Sequence, residues 1–168
     1  MPGVAEANTQ YGPGASATGG DSVAVGDSAK ATAGHATAIG TLTEADGTNS
    51  FVAGLQAKSG ATAENSVAIG RGAQALGQKR VSEQFTASTI AIGNNATATE
   101  NGDIVIGRQA KSTVSQYHNH PQGGNGAVVM GAEAASYGSR GDVVLGAGAE
   151  ACLLRKDVTN PADKPEYS

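Results

Sequence analysis

Two histidines separated by one residue, His118 and His120, are the strongest candidates for chemistry in this chain. They lie in the stretch Val114-Ser115-Gln116-Tyr117-His118-Asn119-His120-Pro121-Gln122-Gly123-Gly124. Neutral imidazole is the commonest ligand for transition metals. Three copies of such a pair around a threefold axis would offer six imidazoles to an octahedral ion. Without the metal, Tyr117, His118 and Asn119 suit polar contacts to a sugar-like ligand, and the plainest reading is a solvated loop. A second stretch, Gln78 to Phe85, carries Arg80 and Phe85, a cation and an aromatic ring fit to touch a receptor or a neighbouring protein. Its plainer reading is a loop that folds over an adjacent chain.

The remaining reactive types form no set. His35 follows Gly34 with no second ligand near it in sequence, and Cys152 is alone, which excludes an intrachain disulfide and favours a small buried residue. There is no Ser/His/Asp or Cys/His arrangement, no pair of carboxylates on neighbouring columns and no phosphate-binding G-x-x-x-x-G-K-[ST]. The chain is expected to be no enzyme and to need no cofactor beyond that possible metal.

What would position these residues is a repeat. Ser22-Val23-Ala24-Val25-Gly26 returns as Ser66-Val67-Ala68-Ile69-Gly70 and as Thr89-Ile90-Ala91-Ile92-Gly93. Aligned on the last glycine, the anchors are Gly12, Gly26, Gly40, Gly54, Gly70, Gly93, Gly107, Gly131 and Gly146. Their spacings are 14, 14, 14, 16, 23, 14, 24 and 15 residues, so the period is 14, with long insertions at about 77–87 and 113–125. Those insertions are the two stretches that hold the candidate residues. Insertions on a rigid scaffold are where recognition is expected.

Counting from each glycine, position −3 holds residues such as Val23, Val67 and Ile104, and position −1 holds Val25, Ile69 and Ile106. Positions +3 and +5 are almost all Ala, Ser or Thr, whereas +4 includes Lys30, Glu44, Lys58, Gln74 and Lys111. This alternation predicts two short strands per coil. Val and Ile at −3 and −1 are expected to face the interior with the +3 and +5 residues, leaving +4 to solvent. Position −2 (Ala24, Ala38, Val52, Val105) would then form an exposed apolar stripe that calls for a partner. A symmetric homotrimer is the natural way for a rod to bury it. Polar residues at −4, such as Ser22, Ser50 and Asp103, suit turn caps, and the glycine suits either a positive-φ corner or a point where a Cβ would clash.

Composition agrees with a thin rod. Of 168 residues 25 are Gly, six are aromatic and 15% are charged, which is too little bulk for a thick core and too little charge for a disordered chain. A net charge of −4, with the charges scattered singly, predicts no binding to nucleic acid, and no stretch approaches a membrane helix.

The phrase Ser-Val-Ala-Ile-Gly-x-x-Ala-x-Ala resembles the head repeat of trimeric autotransporter adhesins, the YadA-like head, over about residues 8–152. The resemblance implies an all-β fold, a left-handed parallel β-roll of about nine 14-residue coils, packed as a homotrimer, with a structural and adhesive role. Residues 1–7 and 153–168 lie outside the repeat and are expected to be anchors. Adhesins of that family carry a neck, a coiled-coil stalk and a membrane barrel after the head. Here the residues after 152 show no heptads and two prolines, and the N-terminus shows no secretion signal. Together with a Met1 start, this favours a bacteriophage virion protein made in the host cytoplasm: a fibre, head fibre or decoration that contacts other virion proteins or a host surface receptor or glycan. H-x-H metal sites on a threefold axis occur in some phage fibres. The alternative is an adhesin head on the bacterial outer-membrane surface, binding host matrix or glycans.

Overall fold

The computed structural model describes residues 7–78, 88–113, 126–137 and 141–152. Within them every regular element is a strand. The strands form two nine-stranded sheets, each running in chain order with all neighbours parallel. One strand of each sheet makes a rung. The first rung is Thr9–Tyr11 with Ser16–Ala17, and the last is Val143–Leu145 with Glu150–Cys152. Nine rungs, one for each repeat of the sequence, make about eight turns of a β-solenoid.

Successive rungs are in register column by column. Val23, Ala24 and Val25 pair with Thr37, Ala38 and Ile39, and the same holds across an insertion, where Val67, Ala68 and Ile69 pair with Ile90, Ala91 and Ile92. The ladder continues into the corner after the first strand. The amide of each anchor glycine after the first donates to the −1 carbonyl of the rung before, as Gly40 N does to Val25 O at 2.7 Å.

The facing of the first sheet is the reverse of the sequence expectation. Position −2 points inward: Ala24, Ala38, Val52, Ala68, Ala91, Val105, Val129 and Val144 are all buried, and only Gln10 in the end rung is exposed. Position −4 shares that face, with Ser22, Ser50, Ser66, Thr89 and Asp103 buried. The large residues at −3 and −1 stand outside. The physical reason is the thinness of the roll. The two sheets of a rung lie so close that +3 and +5 alanines meet the −2 column directly, and Val52, Val105 and Val129 are the bulkiest side chains wholly enclosed. The usual preference for large apolar residues inside fails where the interior has room for little more than a methyl group. The second sheet matches expectation: +3 and +5 are buried almost throughout, and at +4 Lys30, Glu44, Lys58, Gln74 and Lys111 reach solvent, with Ala135 the buried exception.

Candidate functional site

The outward columns of the first sheet form the most distinctive surface of the molecule. Ile39, Phe51, Ile69, Met130, Val143 and Leu145 are exposed, and Val23, Val25, Ile90, Ile92, Ile104 and Ile106 are half-buried beside them. Exposure reaches 66% at Val143 and 63% at Leu145. At roughly 4.8 Å per rung this apolar face runs on the order of 40 Å. Solvent does not favour a continuous apolar face of that length, so it marks an interaction surface. The stripe expected at −2 therefore exists one residue to either side, and is bulkier than expected. Its in-register parallel pairing lets β-branched side chains stack in columns, which explains the Val and Ile content.

The outer face of the second sheet is polar by contrast. Lys30 Nζ lies 3.4 Å from Glu44 Oε1, Thr32 Oγ1 donates to Asp46 Oδ1 at 2.6 Å, and the Lys111 ammonium sits 5.0 Å from the Tyr137 ring centre. These are exposed contacts of small energetic weight. The two sheets thus give the rod one apolar and one hydrophilic side.

Two corners join the sheets, and they behave differently. At the glycine corner, residues at 0 and +2 take positive φ in every rung. The +2 residue is as varied as Ser28, Leu42, Gln56, Asn95, Gln109 and Glu133. The anchor itself admits only glycine: a Cβ on Gly54 would stand 2.6 Å from Gly70 O, and one on Gly26 2.5 Å from Gly40 O. Both readings of the glycine, corner and close approach, hold at once. Its stacked backbones leave no slack, and no insertion occurs at this corner in nine rungs.

Every departure from the 14-residue period falls at the opposite corner, between +6 of one rung and −5 of the next. There lie the residues between Gly60 and Asn65, and both long insertions, which leave at Gln78 and Thr113 and return at Ser88 and Gly126. Both insertions therefore emerge from one long edge of the rod, two rungs apart. Exposed corner residues such as Asp21, His35 and Asn49, at −5 with positive φ, line the same edge. His35 is a surface turn residue, as expected. Arg80, Phe85, Tyr117, His118, Asn119 and His120 lie outside the described residues. Among the described residues no group of three or more His, Cys, Asp or Glu could hold a metal ion, and no helix is long and apolar enough to cross a membrane.

The sequence reading assigned the −4 residues to turns in general, and missed a more specific role. Several of them reach from rung to rung inside the roll. Asn8 Oδ1 accepts from Ser22 N at 3.1 Å, Ser66 Oγ from Thr89 N at 3.2 Å, and Asp103 Oδ1 from Ala127 N at 3.0 Å. Asp103 Oδ2 also accepts from Ser112 Oγ at 2.6 Å and from Glu100 N at 2.9 Å. Burial raises the Asp103 pKa above the usual carboxylate value, and these hydrogen bonds oppose the rise. The available signal was an acceptor side chain at −4 in the rung just before a long insertion.

The family model for the YadA head domain repeat (2 copies) matches residues 12–29, 17–43, 31–57, 61–79 and 87–110, together more than half of the chain. Its matches stop and resume at the two stems of the first insertion, so the family pattern is the rung itself. No curated protein matches the chain. The repeating corner glycine, the small-residue interior and the parallel rungs are what that pattern encodes, and the chain belongs to the YadA head domain repeat family.

Proposed function

We propose that this protein is a non-enzymatic, homotrimeric surface projection, and that it serves as a phage virion fibre, head fibre or decoration. The observation that carries the trimer is the apolar outer face of the first sheet, which runs the whole length of the rod. Three copies packed on that face would bury it and leave the polar second sheet and the insertion edge outside. Recognition then falls to the insertions, through Arg80, Phe85, Tyr117, His118, Asn119 and His120. The family match supports a second reading, the head of a bacterial trimeric adhesin that binds host matrix or glycans.

Mass measurement in solution tests the assembly: a trimer of the 16.5 kDa chain is expected, and a monomer at micromolar concentration overturns it. Immunolabelling separates the two readings. Signal on purified virions supports the phage assignment, and signal confined to the bacterial outer surface supports the adhesin. For the insertion, metal analysis of freshly prepared protein is compared with the variant carrying His118→Ala and His120→Ala. About one ion per three chains, lost in the variant, is the result a threefold H-x-H site requires.

A further inference from the structure

A solenoid with long insertions faces a registry problem. In several uninterrupted coils the −4 amide is satisfied locally, by the carbonyl three residues before it: Ala36 N bonds Ala33 O at 3.3 Å, Ser50 N bonds Gly47 O at 3.2 Å and Asp103 N bonds Glu100 O at 3.3 Å; Ser22 N instead donates to Asn8 Oδ1 of the rung before, at 3.1 Å. At both long insertions the re-entering strand is held by the rung-to-rung contact also seen between Asn8 and Ser22. The first −4 amide after the insertion, Thr89 N or Ala127 N, donates to the −4 side chain of the previous rung, Ser66 Oγ or Asp103 Oδ1. Around the first insertion, Ser88 N is held as well, by Asn101 Oδ1 from the following rung at 3.1 Å.

Asp103 grips both stems of the second insertion. Ser112, one residue before the departure point, donates to one carboxylate oxygen, and Ala127, just after the return point, donates to the other. All three residues are buried. Such charge-assisted hydrogen bonds inside a low-dielectric interior are stronger than neutral ones. Ala36 occupies the same −4 column, where the coil is uninterrupted, and has no side chain with which to do this.

We propose that Ser66 and Asp103 are positioning residues that fix where the chain re-enters the rod after each long insertion, making the register of later rungs independent of the insertion's own sequence. The inference rests on the rod's hydrogen bonds alone and holds whatever the insertions contact. It makes the rod a display scaffold whose two loops can be exchanged.

Amide hydrogen exchange on the full chain tests it. In Asp103→Ala, Ala127 N is expected to exchange about tenfold faster or more, with Thr89 N unchanged. Ser66→Ala should give the reciprocal pattern. Asp103→Asn, which keeps Oδ1 as an acceptor, should hold Ala127 within about threefold of the parent protein. A chain with residues 114–125 replaced by twelve Gly and Ser residues should also keep Ala127, Val128 and Val143 protected. Unchanged exchange at Ala127 in Asp103→Ala overturns the proposal. So does loss of protection at Val128 and Val143 in the Gly/Ser chain, which would show that the insertion itself holds the later rungs. If Asp103→Ala does not fold, Ser112→Ala reads the same clasp: faster exchange at Ala127 supports it, and no change overturns it.

Discussion

At the scale of single residues, the anchor glycine and the buried aspartate carry the sharpest consequences. A methyl group on Gly54 meets the Gly70 carbonyl at 2.6 Å in a backbone region, φ 131°, that side chains avoid. Gly54→Ala is expected to cost about 3 kcal/mol or more in chemical unfolding. Gly148→Ala is the contrast: φ is 66°, no atom lies within 4 Å of the added carbon, and the cost should be about 1 kcal/mol. Equal losses at the two sites would remove close stacking as the reason for the anchor. Asp103 gives a pH prediction. Its carboxyl is raised above 3.8 by burial, so the folded chain holds this proton more readily than the unfolded chain. Stability from this residue is then greatest at acid pH and falls as pH rises from near 3.8 through the raised value. Among the described residues the other charged residue that is buried is Glu100, whose amide donates to Asp103. In Asp103→Asn that fall disappears, so the stability difference between variant and parent should drift in the variant's favour from about pH 4 to pH 7. A difference that stays constant over that range would contradict the assignment.

At the scale of elements, the strands follow from the repeat, but their facing does not. A period of two separates each strand's residues into two sets without saying which set is inside. The separation was legible in columns such as Val23/Val25 against Ser22/Ala24. Choosing the bulkier set as the interior follows a rule drawn from thick cores. Here the decisive quantity is the gap between two sheets of one narrow coil, and that gap depends on both corners together. The insertions were legible from the spacing, and so was the corner glycine. The −4 clasps were not, because a serine or aspartate before a turn looks the same whether it caps locally or reaches the next rung. The corrected facing has a direct test. Ala68 is fully buried between Val52 and Ala91 in its column, whereas Ile69 beside it is exposed. Ala68→Leu should destabilise the fold by about 1–3 kcal/mol through overpacking, and Ile69→Leu by less than about 0.5 kcal/mol. The opposite ranking in thermal unfolding would restore the original facing.

At the scale of the whole molecule, the fold divides its tasks among three sides. The glycine corner fixes the pitch, the opposite corner admits insertions, and the apolar outer face of the first sheet is the surface that the proposed trimer would bury. A parallel sheet usually has both faces covered, and here one face is covered by the chain's own second sheet and the other only by whatever packs on Val, Ile, Phe and Met. A rod of identical rungs meets that need most simply with copies of itself, since each copy offers the same columns at the same spacing. Charges placed mid-face should therefore act on assembly before they act on the coil. Ile90 and Ile104 are half-buried neighbours in one column, clear of the interior. Ile104→Asp in three copies about an axis would bring three carboxylates together in an apolar seam, a cost of several kcal/mol. The variant is expected to sediment as a monomer or to form a trimer that dissociates at micromolar concentration. Ile104→Leu should remain trimeric. Lys58→Asp, on the polar face of the second sheet, supplies the control for added negative charge and should leave the mass unchanged. If the Ile104→Asp and Lys58→Asp variants assemble equally well, the apolar face is not where the copies meet.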